Sequence, residues 1–192
     1  AYDAAFKWTH RVKGGLGVAT MLAAAIFGAC CGSSVAATAA FGRMALPQML
    51  ARKYDPRLAA GCVASAGTLA ALIPPSILFV LYGIVTEVSV SKLLIAGVMP
   101  GILTALMFSL SIVILVKFKP HLAPMQAEDV IFTLREKLSA IKDLLPVAVL
   151  FLVIVGGIYS GLFTPTEAGA AGSVVCLIVG FAGRKVTWNV LW

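Results

Sequence analysis

Cys30-Cys31-Gly32-Ser33-Ser34 is the stretch that decides the fold of this chain. It separates two apolar segments, 15–29 and 35–50, which are both shorter than the about 20 helical residues that a bilayer crossing needs. At about 1.5 Å per residue, the first segment rises only about 22 Å. Two short apolar helices around a small polar tip predict a re-entrant hairpin over 15–50, although two complete crossings would return the chain to the same side. Irregular backbone at membrane depth survives only where protein or a watery cavity satisfies it, so the tip is the first place to look for a buried site.

The composition is that of a membrane protein. Of the 192 residues, 60% are hydrophobic and 12% are charged, against about 25% charged residues in a soluble domain. The mean hydropathy is +1.00. The net charge of +7 comes from basic residues in loops, which fits orientation by the positive-inside rule and argues against a nucleic-acid partner. We predict an all-α polytopic protein of the lipid bilayer, and the first residue, Ala1, suggests an internal fragment of a longer chain.

A second interruption lies at Pro74-Pro75-Ser76, inside the apolar stretch 57–86. Proline removes a backbone donor and clashes with the preceding turn, and the residue before it leaves the helical region. The two prolines therefore predict a broken transmembrane helix over 57–86. In transporters such breaks bring free carbonyls and half-helix ends to ions near the midplane.

The other segments alternate between a basic side and a side poor in basic residues. They are predicted as a cytoplasmic or interfacial segment (1–14), a transmembrane helix (93–116), a cytoplasmic amphipathic connector (117–145) and two transmembrane helices (146–163 and 167–183). In the last of these, Thr166 is expected to cap the helix and Glu167 to occupy its first turn.

The sequence motifs do not indicate an enzyme. Catalytic signatures such as H-E-x-x-H and G-x-S-x-G do not occur, and both histidines fall in predicted loops. The four cysteines have no C-x-x-C spacing and no nearby His, so each is interpreted as a small buried hydrophobic residue and no transition-metal site is predicted. They are Cys30, Cys31, Cys62 and Cys176.

Five groups of residues follow one another in an order typical of one family. They are Gly32-Ser33-Ser34 with Ala36-Ala37-Thr38, Ala66-Gly67-Thr68-Leu69, Ile73-Pro74-Pro75-Ser76 with Tyr82-Gly83, Ala96-Gly97-Val98-Met99-Pro100-Gly101, and Thr164-Pro165-Thr166-Glu167-Ala168. Over essentially the whole chain they resemble the large membrane (permease) subunit of the TRAP (tripartite ATP-independent periplasmic) transporters of bacteria and archaea, members of the ion-transporter superfamily.

The resemblance implies a sodium-coupled secondary importer in the inner membrane that works by an elevator mechanism. Such proteins have two inverted repeats, each with a hairpin and a broken helix, and this chain would hold the core of the first repeat, with or without the start of the second. The expected substrates are organic acids, such as dicarboxylates or other carboxylates. The expected partners are a small TRAP membrane subunit and a periplasmic substrate-binding protein, with Na⁺ as the coupling ion and no other cofactor.

The site residues follow from the motifs and from sodium chemistry. Sodium is a hard cation that prefers oxygen ligands, and hydroxyls and backbone carbonyls supply them. The predicted sodium ligands are Ser33, Ser34, Gly67, Thr68 and Ile73, and the residues predicted near the substrate are Gly32, Ser34, Pro74, Pro75 and Ser76. The helix start after the first tip would favour an anionic group. Alternatively, these small residues only allow close helix packing.

Two charged residues are further candidates for the site. Arg43 would neutralise a substrate carboxylate or lie at the membrane edge. Glu167 would take part in proton coupling or gating, or would only stabilise a helix start. A passive channel and a non-transporting structural subunit remain the alternatives to a transporter.

Overall fold

The computed structural model describes residues 2–9, 12–124 and 145–182. Within these ranges the chain is helical and has no β-strand, which confirms the all-α prediction. The helices are α1 (Tyr2–Thr9), α2 (Gly15–Cys31), α3 (Ser34–Ala51), α4 (Pro56–Leu72), α5 (Ile77–Thr86), α6 (Val90–Phe118), a 3-10 turn (Pro120–Leu122), α7 (Leu145–Tyr159) and α8 (Pro165–Ala182). Most of the connector predicted at 117–145 lies outside the described residues.

The first interruption is a helix end followed directly by a helix start. Gly32 has a φ of 60°, and its N–H donates to the carbonyl of Gly28 at 2.9 Å. Glycine adopts this left-handed conformation without the steric cost of a side chain and therefore ends α2. At the start of α3, the Ser33 hydroxyl accepts a bond from the Ala36 N–H at 3.4 Å.

The second interruption bends the α4–α5 pair by 44°. Between the two helices the Pro74-Pro75 peptide bond is cis. The Ser76 hydroxyl then accepts a bond from the Leu78 N–H at 3.3 Å and caps α5.

One described helix, α6, is long and apolar enough to cross a membrane alone, and the bent α4–α5 pair passes the same test as a unit. Among the described residues, α2, α7 and the stretch Thr166–Phe181 of α8 are shorter apolar helices. The lengths alone therefore distinguish α6, with 29 residues, from the arms of the predicted hairpin, with 17 and 18 residues.

Both ends of the α2–α3 hairpin lie at one end of the molecule, which we call the basic end (residues 12–15, 52–57 and 116–122). The N–H of Leu16 donates to the Tyr54 hydroxyl at 3.3 Å and so joins the start of the hairpin to the residues after it. The N–H of Asp55 donates to the Leu122 carbonyl at 2.8 Å and brings in the end of α6. The basic loops flanking the hairpin and following α6 are therefore neighbours in space.

Small residues allow the helices to approach closely. Helix α2 packs against α1, α3, α4 and α6, and a Cβ added at Gly28 would lie 2.6 Å from the Cα of Ala70 on α4. Helix α6 passes the second interruption at Gly101, where a Cβ would lie 2.9 Å from Cγ1 of Ile73. Helices α7 and α8 pack on each other and share a second cluster that includes Ile154 and Ala168.

Candidate functional site

The two interruptions contact each other directly. The N–H of Ile77, at the start of α5, donates to the carbonyl of Gly32 at 3.3 Å. A Cβ built on Gly32 would overlap the Pro75 carbonyl oxygen and lie 3.2 Å from Cα of Ser76. The backbone of the first interruption thus lies against the backbone of the second, and three residues predicted near the substrate come together there.

Four helix ends converge at this contact. Helices α2 and α4 end there, and α3 and α5 begin there. Carbonyl groups are exposed at helix C-termini and N–H groups at helix N-termini, with partial negative and positive charge respectively. Partial negative and partial positive charge therefore meet at one place in the fold, where the N–H groups of Ala36, Ile77 and Leu78 already donate to local acceptors.

A second contact lies one helical turn into α3, where Gly67 of α4 faces Ser34 and Thr38. A Cβ added at Gly67 would overlap the Thr38 hydroxyl oxygen and lie 3.1 Å from the Ser34 carbonyl oxygen. The Thr38 hydroxyl itself donates to that carbonyl at 2.8 Å. Two predicted sodium ligands, Ser34 and Gly67, are therefore adjacent.

Sequence reasoning did not select Thr38 as a site residue, although it belongs to the first motif. Its position four residues after Ser34 places both on one helix face, which was the available signal. Its hydroxyl adds one oxygen to the contact between α3 and α4.

The other predicted sodium ligands are placed differently. The Ser33 hydroxyl is engaged in capping α3. Thr68 is exposed, and its hydroxyl donates to the Ala64 carbonyl at 3.3 Å, which is long for an O–H···O bond. Ile73 contacts Gly101 of α6. The structure therefore does not bring Thr68 and Ile73 to the contact between Ser34 and Gly67.

A cavity of about 470 Å³ opens at the two interruptions. Gly32, Pro75 and the buried Ser76 line one side, and residues of α7 and α8 such as Ile154 and Gly172 line another. This volume is within the range of small-molecule sites. Pro74, in contrast, is buried beside Gly97 of α6 and lines a separate apolar cavity.

The prediction that all four cysteines are buried is only partly correct. Cys62 is buried, Cys30 and Cys31 are half-buried, and Cys176 is exposed; all four are free. Cys30, Cys31 and Cys176 line the 470 Å³ cavity, because the helix ends leave space there that tight helix packing would have filled.

The two charged candidates, Arg43 and Glu167, lie away from both interruptions along the chain. Arg43 is exposed on α3. The Glu167 carboxylate accepts bonds from the N–H of Thr164 at 2.8 Å and from its hydroxyl at 2.9 Å, while the Thr164 hydroxyl accepts a bond from the Glu167 N–H at 3.3 Å. This is a reciprocal capping box.

The predicted N-cap of the last helix, Thr166, is therefore wrong. Helix α8 begins at Pro165, so Thr164 is the cap and Thr166 lies inside the first turn. The sequence Thr-Pro-Thr-Glu has the capping-box spacing from its first threonine, and proline is favoured at the first helical position.

Comparison with known proteins connects this geometry to one family. The family model described as "Tripartite ATP-independent periplasmic transporter, DctM component" matches residues 2–191. The chain is 44% identical over 168 residues to a C4-dicarboxylate TRAP transporter large permease protein of Pseudomonas aeruginosa, covering 88% of this chain and 38% of the relative.

The names of two further relatives state other substrates. A 2,3-diketo-L-gulonate TRAP transporter large permease protein of Escherichia coli is 35% identical over 191 residues, or 99% of this chain and 44% of the relative. A sialic acid TRAP transporter large permease protein of Vibrio cholerae is 30% identical over 180 residues, or 94% of this chain and 40% of the relative. The chain thus spans about two-fifths of the length of these relatives.

Proposed function

Because the chain belongs to the DctM-component family of tripartite ATP-independent periplasmic transporters, we propose that it forms the first repeat of a sodium-coupled importer of organic acids. In this proposal, α2 and α3 are the re-entrant hairpin, and α4 and α5 are the broken helix. The second of the two inverted repeats belongs to the remainder of a permease of the relatives' length.

The observation that carries the proposal is the contact between the two interruptions. A hairpin tip bonded to a helix break, through the Ile77 N–H and the Gly32 carbonyl, gathers backbone groups that ordinary helix packing would keep apart. In membrane transporters, discontinuous helices of this kind form substrate and coupling-ion sites. A simple structural subunit has no need of such an arrangement.

The position of α6 supports re-entrance of the hairpin. Gly97 of α6 contacts Pro74, beside the interruption that holds the hairpin tip, yet α6 begins at Val90. Helix α6 therefore extends about 10 Å beyond the level of the tip. If α6 crosses the bilayer, the tip ends within it.

The proposed site binds two charged groups, a sodium ion and the carboxylate of the substrate. Ser33, Ser34, Gly67, Thr68 and Ile73 are the proposed sodium ligands. The Ser34 hydroxyl oxygen and the Ser34 carbonyl oxygen, which lies beside Gly67, are suitable hard ligands, and the loosely bonded Thr68 hydroxyl is free to reorient. A bound sodium ion would offset the charge of a substrate carboxylate lying in the adjacent cavity.

The substrate carboxylate would lie where α3 and α5 begin, in the cavity lined by Gly32, Pro75 and Ser76. We propose dicarboxylates or other carboxylates as the substrate class, since the named relatives include C4-dicarboxylate, diketogulonate and sialic acid permeases. Coupled movement of hairpin and broken helix as one body would then carry ion and substrate across in an elevator mechanism.

The proposed setting is a bacterial inner membrane, because the relatives compared are bacterial. The family also suggests the partners, a small TRAP membrane subunit and a periplasmic substrate-binding protein. The latter would deliver the substrate from the side opposite the basic end.

Accumulation of a labelled dicarboxylate tests the proposal in proteoliposomes that contain the complete transporter and its binding protein. With an inward sodium gradient, the internal concentration is expected to exceed the external one, and collapsing the gradient should abolish the excess. Simple equilibration of the solute, indifferent to sodium, would instead establish a passive channel.

A further inference from the structure

A second cavity, of about 550 Å³, lies at the basic end between α4 and α6. We call it the α4–α6 cleft. Arg57, Lys119 and His121 line its rim, and all three are exposed. It lies apart from the interruptions and shares none of their lining residues.

The rim carries more positive than negative charge. Arg57 and Lys119 contribute two positive charges, and the His121 imidazole shares the rim with them. Asp55 also lines the cleft, but its carboxylate accepts the Arg57 N–H at 2.8 Å and its N–H holds the Leu122 carbonyl at 2.8 Å. Among the described residues, no carboxylate forms an ion pair with any of the three basic side chains.

Below the rim the residues that line the walls carry no charge. Positions 58, 61 and 65 follow Arg57 along one face of α4, and positions 108, 111, 112 and 115 precede Lys119 along one face of α6. From residue 119 to residue 108 the cleft extends about 16 Å along the helix axis. Leu58, Phe108, Ile112 and Leu115 supply large apolar side chains there, and Ser65 and Ser111 add two small polar ones.

We propose that the α4–α6 cleft binds one anionic phospholipid, with the phosphate at Arg57 and Lys119 and an acyl chain along the cleft. Basic sites between membrane helices on the cytoplasmic side suit such headgroups. The length of the apolar wall favours a lipid, because a small anion would use only the rim. The bound lipid would hold α4, which leads into the second interruption, against α6.

Two pairs of variants of the complete transporter separate the contributions of headgroup and chain. Arg57→Ala and Lys119→Ala, singly and together, remove the rim charge, and Lys92→Ala, at the opposite end of α6, is the charge-matched control for each single substitution. Gly61→Leu fills the cleft from α4, where an added Cβ meets nothing within 4 Å. Gly156→Leu, equally unobstructed at Cβ on α7, is its control.

Native mass spectrometry of the purified protein, titrated with dioleoyl phosphatidylglycerol or dioleoyl phosphatidylcholine, measures the binding. We expect preferential retention of phosphatidylglycerol, weakened about fivefold by either rim substitution and about thirtyfold by both. Gly61→Leu should weaken it as well, whereas both controls should bind like the wild type.

Glycerol 3-phosphate, which has the phosphate but no acyl chain, distinguishes a lipid site from an anion site. It should compete poorly with phosphatidylglycerol. Equal competition combined with full binding by Gly61→Leu would overturn the proposal in favour of a small-anion site. Equal retention of the two lipids, or unchanged binding after loss of both rim charges, would also overturn it.

Discussion

Gly32 meets two structural requirements, a left-handed backbone conformation and the absence of a side chain. Its φ of 60° lies in the left-handed region, which costs an L-residue with a side chain roughly 1–2 kcal/mol. Its missing side chain also leaves room for the Pro75 carbonyl, which a Cβ would overlap. The contact between the interruptions therefore depends on glycine for both backbone conformation and close approach.

Replacing Gly32 tests this dependence. Gly32→Ala is expected to lower sodium-driven uptake at least about tenfold, because a methyl group separates the interruptions in addition to straining the backbone. Gly161→Ala is the matched control, since Gly161 has a φ of 74° but open space around its Cβ. Uptake by the two variants in proteoliposomes is the measurement, and equal losses would contradict a specific contact at Gly32.

The start of α8 offers a second test at single residues. Thr164→Ala should lower the free energy of unfolding by about 1 kcal/mol because it removes the N-cap, whereas Thr166→Ala should have little effect. Thermal or denaturant unfolding of the purified transporter measures the difference.

Glu167→Gln separates the capping role of this side chain from a role in coupling. Glutamine keeps the oxygen that completes a capping box but has no charge, so uptake should stay near the wild-type rate. A large fall in uptake without a change in stability would assign Glu167 to coupling or gating.

At the scale of elements, the second interruption depends on two adjacent prolines. Pro74 and Pro75 deprive the chain of two backbone donors where α4 would otherwise continue into α5. The 44° bend places the start of α5 against Gly32. A continuous helix would carry its N–H groups along its own axis and withdraw them from the site.

Substitution of both prolines should therefore disable transport. We expect Pro74→Ala with Pro75→Ala to reduce uptake at least about tenfold while the protein still inserts and folds. Pro47→Ala is the control, because Pro47 lies inside α3 without interrupting it. Wild-type uptake by the double variant would show that transport does not need the break.

The sequence was informative about elements because their causes are local. The Gly-Ser-Ser tip and the Pro-Pro pair each break a helix by their own backbone chemistry, and the structure has both interruptions. Which residues of two neighbouring helices face each other was harder to predict from the sequence. Thr38 was not selected and Thr68 lies apart from Ser34, because the rotation of α4 against α3 is set by packing at Gly67.

At the scale of the molecule, charge and helix polarity are arranged around the interruptions. The basic end gathers the loops at both ends of the hairpin and at the end of α6, in agreement with a cytoplasmic orientation. At the tip of the hairpin, away from the basic end, four helix ends meet beside a cavity. This division between a basic anchoring end and a central polar contact is what the proposed importer requires.

The sodium dependence of uptake tests the central claim most directly. In proteoliposomes with the complete transporter, we expect Ser34→Ala with Thr68→Ala to raise the sodium concentration for half-maximal uptake at least about tenfold. Thr104→Ala, which removes a hydroxyl bonded to the Pro100 carbonyl of α6, should leave it unchanged. A sodium requirement identical to the wild type in the double variant would contradict a sodium site formed by the hairpin and the broken helix.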